Sequence, residues 1–301
     1  MTDSCVWRSD GFGDNRIPEV SVGMPVYNGE RYLAEAVESI LNQTFSDFEL
    51  IISDNASTDG TAEICEELAA RDPRIRYARQ KVNIGLWANW DFVACAARGT
   101  FFKWTSANDR CDRTMLEKCI NVLRRENDVV LCYGRTCLID GQGNEIGLYP
   151  YDFSYQQAKP SERFITVRDR MNLNNAFQGL IRLQRLKQTR LNRRYPDSDL
   201  ILFAELALYG AFRLLPEILL YRRMAEGAAS CFLPEQEKKV FLDPRSAHKQ
   251  FTRWHLYLDS FWSVLRAPIA RTEKLAALDY VVRHVYWDRR ALWRDLFKRL
   301  S

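Results

Sequence analysis

No stretch of this 301-residue chain approaches the ~20 uninterrupted apolar residues of a membrane span. The N-terminal segment lacks a basic start followed by a long apolar run, so no secretory leader is expected, and Met1–Arg16 reads as a loosely held polar segment. No C-x-x-C pair occurs. The eight cysteines (Cys5, Cys65, Cys95, Cys111, Cys119, Cys132, Cys137 and Cys231) stand singly, which argues against a zinc or disulfide framework and predicts reduced thiols in a cytoplasmic protein. Neither G-K-[ST] nor G-x-G-x-x-G is present, which disfavours P-loop enzymes and Rossmann dehydrogenases. Histidine is scarce: only His248, His255 and His284, all late in the chain. The net charge of +4 is too small to point to nucleic acid, and there is no internal repeat or low-complexity tract.

What is present is ordinary globular material, 47% apolar and 27% charged, enough for one large core or two modest ones. Two segments stand out. Val20–Pro25 runs into Val26-Tyr27-Asn28-Gly29-Glu30, and Glu49–Ser53 runs into Asp54-Asn55-Ala56-Ser57-Thr58-Asp59-Gly60-Thr61. Each is an apolar run ending in a turn-forming loop that opens an amphipathic helix, so they are consecutive β-loop-α units. In an open α/β sheet such loops lie at the carboxyl edge, where ligands bind. Tyr27 can stack on a base and Asp54 can accept hydrogen bonds from one; alternatively, both loops serve only as turns and helix caps.

Further strand–helix alternation is predicted through residue 140. Strands are expected at Ile75–Tyr77, Thr100–Thr105 and Val129–Leu138, and helices at 30–42, 58–71, 83–97 and 113–125. This pattern means an α/β protein with a mostly parallel central sheet and helices on both faces. Beyond it the spacing predicts a turn at Gly141–Asn144, a loop at Tyr149–Pro160 and a short helix at Val167–Asn174. A helix at Asp199–Gly210 follows, then a strand-like run at Phe212–Leu220 broken by Pro216, with Tyr221–Arg223 as its exit, and a helical pattern from Arg245 onward.

The loop sequences P-x-Y-N and D-x-x-S-x-D-G-T resemble the nucleotide-binding half of family 2 glycosyltransferases, and the likeness extends over Pro18–Ser230. It implies the nucleotide-diphospho-sugar transferase fold (glycosyltransferase type A). Residues 17–230 would form the catalytic domain, with 17–140 as the nucleotide half and 141–230 as the acceptor half, and 231–301 a helical extension. By this resemblance Pro25 and Tyr27 flank the base, Asp54 bonds its edge, and Asn83 lies on the nucleotide side. The family places an acidic cluster after the fourth strand to hold a divalent cation, manganese or magnesium, against the diphosphate. Here the stretch reads Ser106-Ala107-Asn108-Asp109. Asp109 is the remaining carboxylate and Asn108 a neutral oxygen ligand on the nucleotide side. The alternative for this stretch is an Asx turn.

The family also sets a carboxylate eleven residues before a helix-ending glycine, the spacing from Asp199 to Gly210. Asp199 is therefore the implied general base for the acceptor hydroxyl in an inverting transfer. Its alternative role is an N-cap, and Asp197 is the local competitor. Relatives often place a His in the loop after the last strand; this chain has Arg222 and Arg223 there, followed by Gly227–Ser230. These arginines either supply positive charge to the diphosphate or form a basic strand end facing water. The C-terminal segment interleaves Trp and Tyr with Arg, a pattern that suits either packing on the main domain or contact with an anionic membrane surface.

The implied function is transfer of a sugar from a nucleotide-diphosphate sugar to a glycan or lipid-linked acceptor hydroxyl, with inversion, in cell-surface polysaccharide or glycolipid synthesis. The implied location is the cytoplasm, at or near the inner membrane face. Two alternatives stay open: a catalytically degenerate nucleotide-sugar-binding protein on the same fold, and a sugar nucleotidyltransferase.

Overall fold

The computed structural model describes residues 5–9, 17–225 and 252–297. The N-terminal part contains β1 (Cys5–Ser9), β2 (Val20–Val26), α1 (Leu33–Leu41), β3 (Phe48–Asp54), α2 (Thr61–Arg71), β4 (Ile75–Gln80), α3 (Leu86–Ala96) and β5 (Phe101–Trp104). Then come β6 (Arg110–Cys111), α4 (Met115–Arg125), β7 (Val129–Ile139), β8 (Glu145–Leu148) and α5 (Pro160–Arg170). The chain continues through a 3₁₀ turn (Asn175–Gln178), β9 (Leu180–Arg182), α6 (Leu183–Gln188), α7 (Ser198–Tyr209) and β10 (Ala211–Arg223), and ends with α8 (Thr252–Arg266) and α9 (Arg271–Phe297).

The strands form one sheet in the order β1-β4-β3-β2-β5-β9-β7-β10-β6, with β8 paired to β7. Pairing is parallel from β4 to β5 and between β7 and β10, and antiparallel where β1, β6, β8 and β9 join. The expected α/β class therefore holds, with a parallel β4-β3-β2-β5 segment and a mixed sheet beyond it.

Strands β2 and β3 are buried at every position, as parallel strands covered on both faces must be. Val20, Val22, Met24 and Val26 pack with Leu33, Ala36, Val37 and Ile40 of α1 on one side of the sheet. On the other side Ile51, Phe102 and Trp104 join Val93 of α3 and Phe203 and Leu206 of α7. Gly23 lets α3 approach: a methyl group there would lie 2.7 Å from Val93 Cγ2 and 2.9 Å from the Phe102 ring. Pro25 is tolerated in a central strand because β5 pairs only as far as Gly23, so the missing N–H breaks no ladder bond on that side.

Several local expectations change. Helix α5 lies at Pro160–Arg170 rather than Val167–Asn174, because Pro160 pre-sets the first turn. Pro216 does not break β10, which continues with register shifts to Arg223, so Tyr221–Arg223 belong to the strand. Within the segment expected to be loose, Cys5–Ser9 pairs with β4. The expectations for 227–230 and 245–251, and those for Cys231 and His248, lie outside the described residues.

Helices α8 and α9 share a core with α5 and α7. Val264, Ala267, Ala277, Tyr280 and Val281 belong to the same apolar cluster as α5 and α7. Ser263 Oγ donates to Glu205 of α7 (3.0 Å), and Glu273 accepts from Ser161 N of α5 (3.1 Å). Among the described residues no helix is long and apolar enough to cross a membrane.

Candidate functional site

The ends of β2 and β3 carry two loops that are sewn together. Asn28 adopts a left-handed conformation (φ 50°) which asparagine tolerates. Its N–H donates to Ser57 Oγ (2.9 Å), and its Oδ1 accepts from Thr58 N (2.9 Å). Gly29 N donates to Thr61 Oγ1 (2.8 Å), and Glu30 accepts from Gly60 N (2.6 Å). A third loop joins them: Asn83 Oδ1 accepts from Asn55 Nδ2 (2.9 Å) and Gly85 N (2.8 Å), while Asn55 Oδ1 accepts from Ile84 N (2.8 Å). These side-chain bonds hold three backbone turns at one edge of the sheet.

Above them the Tyr27 ring is 37% exposed. Asp54 is fully buried. It accepts from Ser57 N (2.8 Å) and pairs with Arg79 (3.3 Å). Asp54, expected at the base edge, supports the loop through these contacts. Pro25 is likewise buried, inside β2.

The next loop contains Ser106, Asn108 and Asp109. Ser106 Oγ donates to Asn108 Oδ1. Asp109 is buried and accepts from Arg223 N (2.8 Å) at one oxygen and Gln178 Nε2 (2.5 Å) at the other. Burial pushes its carboxyl up, opposed by Arg222, the Arg223 N–H, Gln178 and Lys103. Lys103 is itself fully buried mid-strand, and its ammonium donates to the Gln178 (2.6 Å) and Trp104 (3.0 Å) carbonyls.

A divalent cation prefers several oxygen ligands with more than one carboxylate. Asp109 is a lone acid here with both oxygens engaged, and among the described residues no group of three His, Cys, Asp or Glu is placed to hold a metal. As arranged, these residues do not fit the cation expected at Asp109.

Adjacent residues on a strand point to opposite faces, and this separates the two arginines. Arg223 is buried and its guanidinium is occupied by protein. It donates to Asn108 O (2.9 Å), Asp140 O (3.0 Å), Gly141 O (3.2 Å) and Glu35 (2.6 Å) and lies 4.3 Å over the Tyr32 ring. The nucleotide contact expected of Arg223 is therefore not available to its side chain. Arg222 is half-buried on the other face, donating to Asn175 Oδ1 (2.7 Å).

Asp199 lies in the first turn of α7, one residue inside the helix. Asp197 occupies the cap position with φ 61° and no side-chain capping bond. Asp199 thus stands inside the first turn and not at the cap position itself. Asn174 Nδ2 donates to Asp199 Oδ2 (3.1 Å). Burial pushes the Asp199 carboxyl up and Asp197 adds to this, while Asn174 and the N–H groups of Asp199 and Leu200 oppose it. The loop before α7 is clamped from two sides. Asp259 of α8 binds Arg190 (2.5 Å) and Tyr195 Oη (2.7 Å), and Asp91 of α3, raised by burial to about 7, accepts from Asn192 Nδ2 (2.8 Å).

The connecting element is one that sequence reasoning missed. Asn174 holds Asp199, Asn175 holds Arg222, and Gln178 holds Asp109, all within five residues around one 3₁₀ turn. Two signals pointed there: a lysine inside the apolar run of β5, and the dense amides of Asn174-Asn175-Ala176-Phe177-Gln178.

A mixed sheet with a parallel segment, sewn strand-end loops and a helical C-terminal part agrees with the nucleotide-diphospho-sugar transferase fold. Residues 21–181 match the model of Glycosyl transferase family 2. The chain belongs to that family. It is 34% identical over 131 residues to chondroitin synthase of Escherichia coli, covering 44% of this chain and 19% of that protein. The chain spans about half the length, or less, of the curated relatives it matches. In fold it resembles Staphylococcus aureus TarS 1-349 in complex with UDP-GlcNAc (TM-score 0.62, 16% identity, 90% of this chain and 74% of that one). It also resembles the mannosyltransferase PcManGT of Pyrobaculum calidifontis in complex with GDP-Man and Mn2+ (TM-score 0.52, 14% identity, 96% and 86% covered).

Proposed function

We propose that this protein is an inverting glycosyltransferase that moves a sugar from a nucleotide-diphosphate sugar to an acceptor hydroxyl. The observation that carries this reading is the Asn174–Gln178 bridge, which fixes the carboxylate of Asp199 relative to Arg222 and the Asp109 loop. In this reading the base stacks on Tyr27, over loops that Asn28, Asp54, Asn55 and Asn83 hold in place. Arg222 faces the diphosphate, where a guanidinium suits phosphate oxygens. Asp199 takes the proton of the acceptor hydroxyl as that oxygen attacks the anomeric carbon. A carboxyl raised above its usual range is better matched to this task at neutral pH than an ordinary one. No step is assigned to a cation.

Contact with an anionic membrane surface through α8 and α9 belongs to the same reading. Leu258, Phe261, Trp262 and Leu265 are exposed along α8, and Leu275, Val282, Tyr286 and Trp293 along α9, flanked by Arg253, Arg266, Arg283, Arg289 and Arg290. That combination suits the lipid interface and an acceptor carried by a lipid in cell-surface glycan synthesis at the inner membrane face.

The lone carboxylate at Asp109 favours a second reading, a nucleotide-sugar-binding protein without turnover. One assay separates the two: hydrolysis of UDP-, GDP- and dTDP-sugars, with manganese and with EDTA. Turnover of any donor supports the transferase. Tight donor binding without turnover in either condition supports the binding protein.

A further inference from the structure

The segment that follows β8 crosses the acceptor side of the site and is pinned at both ends. Tyr149 N donates to Thr136 O (2.9 Å), and its hydroxyl accepts from Leu173 N (3.1 Å), the residue before Asn174. Asp152 accepts from Thr136 N (2.7 Å) and from Asn175 Nδ2 (3.1 Å). Tyr149 is buried and lies near enough to Arg222 and Asp152 for their charges to act on its hydroxyl. Between these anchors sits Tyr151, packed edge-on against Tyr149 (centroids 5.7 Å apart) and 55% exposed. A large aromatic ring is thus held at the surface by two neighbours, each bonded to the 173–175 stretch that positions Asp199. In the same stretch Asn174 Oδ1 is buried and accepts no hydrogen bond. A buried polar atom in that state calls for a partner.

We propose that Tyr151, backed by Tyr149, is an aromatic platform for a pyranose ring of the acceptor. This rests on the transferase reading above and names the acceptor class for it. A pyranose presents a face of C–H groups bordered by hydroxyls. The C–H face covers an aromatic ring, and the hydroxyls need polar partners at the edge. Tyr151 supplies the ring. Through Tyr149 and Asp152 the loop that carries this ring is tied to the 173–175 stretch, whose Asn174 holds the Asp199 carboxylate. Tyr27 follows β2 on a different loop, and in this reading it serves the base, so the ring at Tyr151 selects the acceptor and leaves the donor untouched.

The test uses saturation-transfer NMR on the full chain with UDP present and the methyl pyranosides of glucose, galactose, N-acetylglucosamine and rhamnose as probes. Wild type is compared with Tyr151→Ala and Tyr151→Phe, and nucleotide-sugar hydrolysis with water as acceptor reports on the donor side. At least one pyranoside is expected to contact the wild-type protein. Its Kd should rise about tenfold in Tyr151→Ala, the order of one lost ring contact. Tyr151→Phe should bind as wild type does, and hydrolysis should be equal in all three. The exposed position makes all three equally stable, which thermal melting verifies. The proposal is overturned if no pyranoside makes contact, if Tyr151→Ala binds as tightly as wild type, or if Tyr151→Phe is as weak as Tyr151→Ala. A fall of hydrolysis in Tyr151→Ala also overturns it by placing the ring on the donor side. A wild-type protein that binds pyranosides but hydrolyses no nucleotide sugar overturns the transferase reading instead.

Discussion

Asp199→Asn separates catalysis from architecture. The substitution keeps shape and an oxygen that can accept from Asn174, but it cannot take a proton. Removing a positioned general base lowers turnover by about 10²–10⁴-fold, or ~2.7–5.4 kcal/mol at about 1.36 kcal/mol per decade. Stability should move the other way. Burial, aided by Asp197, raises the Asp199 carboxyl above its ordinary value. A group raised in the folded state loses its proton first in the unfolded chain, so stability declines as pH climbs from the unfolded pKa to the folded one. Asparagine does not titrate. Wild type and variant should therefore melt alike in acid, where Asp199 is neutral, and the variant should melt at the same or a higher temperature at pH 7. In wild type, the acidic limb of the kcat/KM profile should lie above the ordinary aspartate value of about 3.9. The assays are turnover with donor and acceptor, donor titration by calorimetry, and melting across pH. Near-normal turnover would refute the base assignment and turn attention to Asp197. A drop in melting temperature at pH 7 would refute the burial argument and make Asp199 a structural group.

Arg223→Met should cost about 2–4 kcal/mol in urea unfolding, because three backbone carbonyls lose their donor while Glu35, part-exposed, keeps its solvent; a loss under about 1 kcal/mol would contradict the tether role. Asn108→Asp sets a second carboxylate beside Asp109, so the variant should melt lower in EDTA and bind manganese more tightly than wild type when UDP is present; equal manganese affinity would show that the missing acid is not what limits the site. Wild-type protein should co-sediment with vesicles containing phosphatidylglycerol and less so with pure phosphatidylcholine, and Trp262→Ser combined with Trp293→Ser should abolish the difference; unaltered sedimentation of that variant would remove α8 and α9 from the contact.

Much of the nucleotide half was legible in the sequence, because there the determinants are local. Leu33, Ala36, Val37 and Ile40 recur at helical spacing and form the buried face of α1, and β2 and β3 are short, mostly apolar runs that lead to Tyr27 and Asp54. The loops that follow carry their own turn chemistry in Asn28-Gly29 and Ser57-Thr58-Asp59-Gly60. Likewise the helix from Asp199 toward Gly210 was readable from its composition, and Gly210 is required because a methyl group there would meet Asp128 O at 2.6 Å.

Tertiary structure alone decided how these pieces meet. Strands as short as β6 and β9 carry too few residues for a periodic signal and exist because β5, β7 and β10 offer them edges. Arg222 and Arg223 are equivalent as letters, yet the register of β10 turns one to Asn175 and locks the other under Asp140, because side chains alternate along a strand. Asp54 reads in the sequence only as a loop acid; that it is buried and paired with Arg79 depends on the register of β3 with β4, which sets Arg79 opposite it. The 3₁₀ turn at Asn175–Gln178 gathers Asp199, Arg222 and Asp109 across contacts 25, 47 and 69 residues apart in the chain, a range over which hydrogen-bond partners are set by the packed sheet and leave no trace in local sequence.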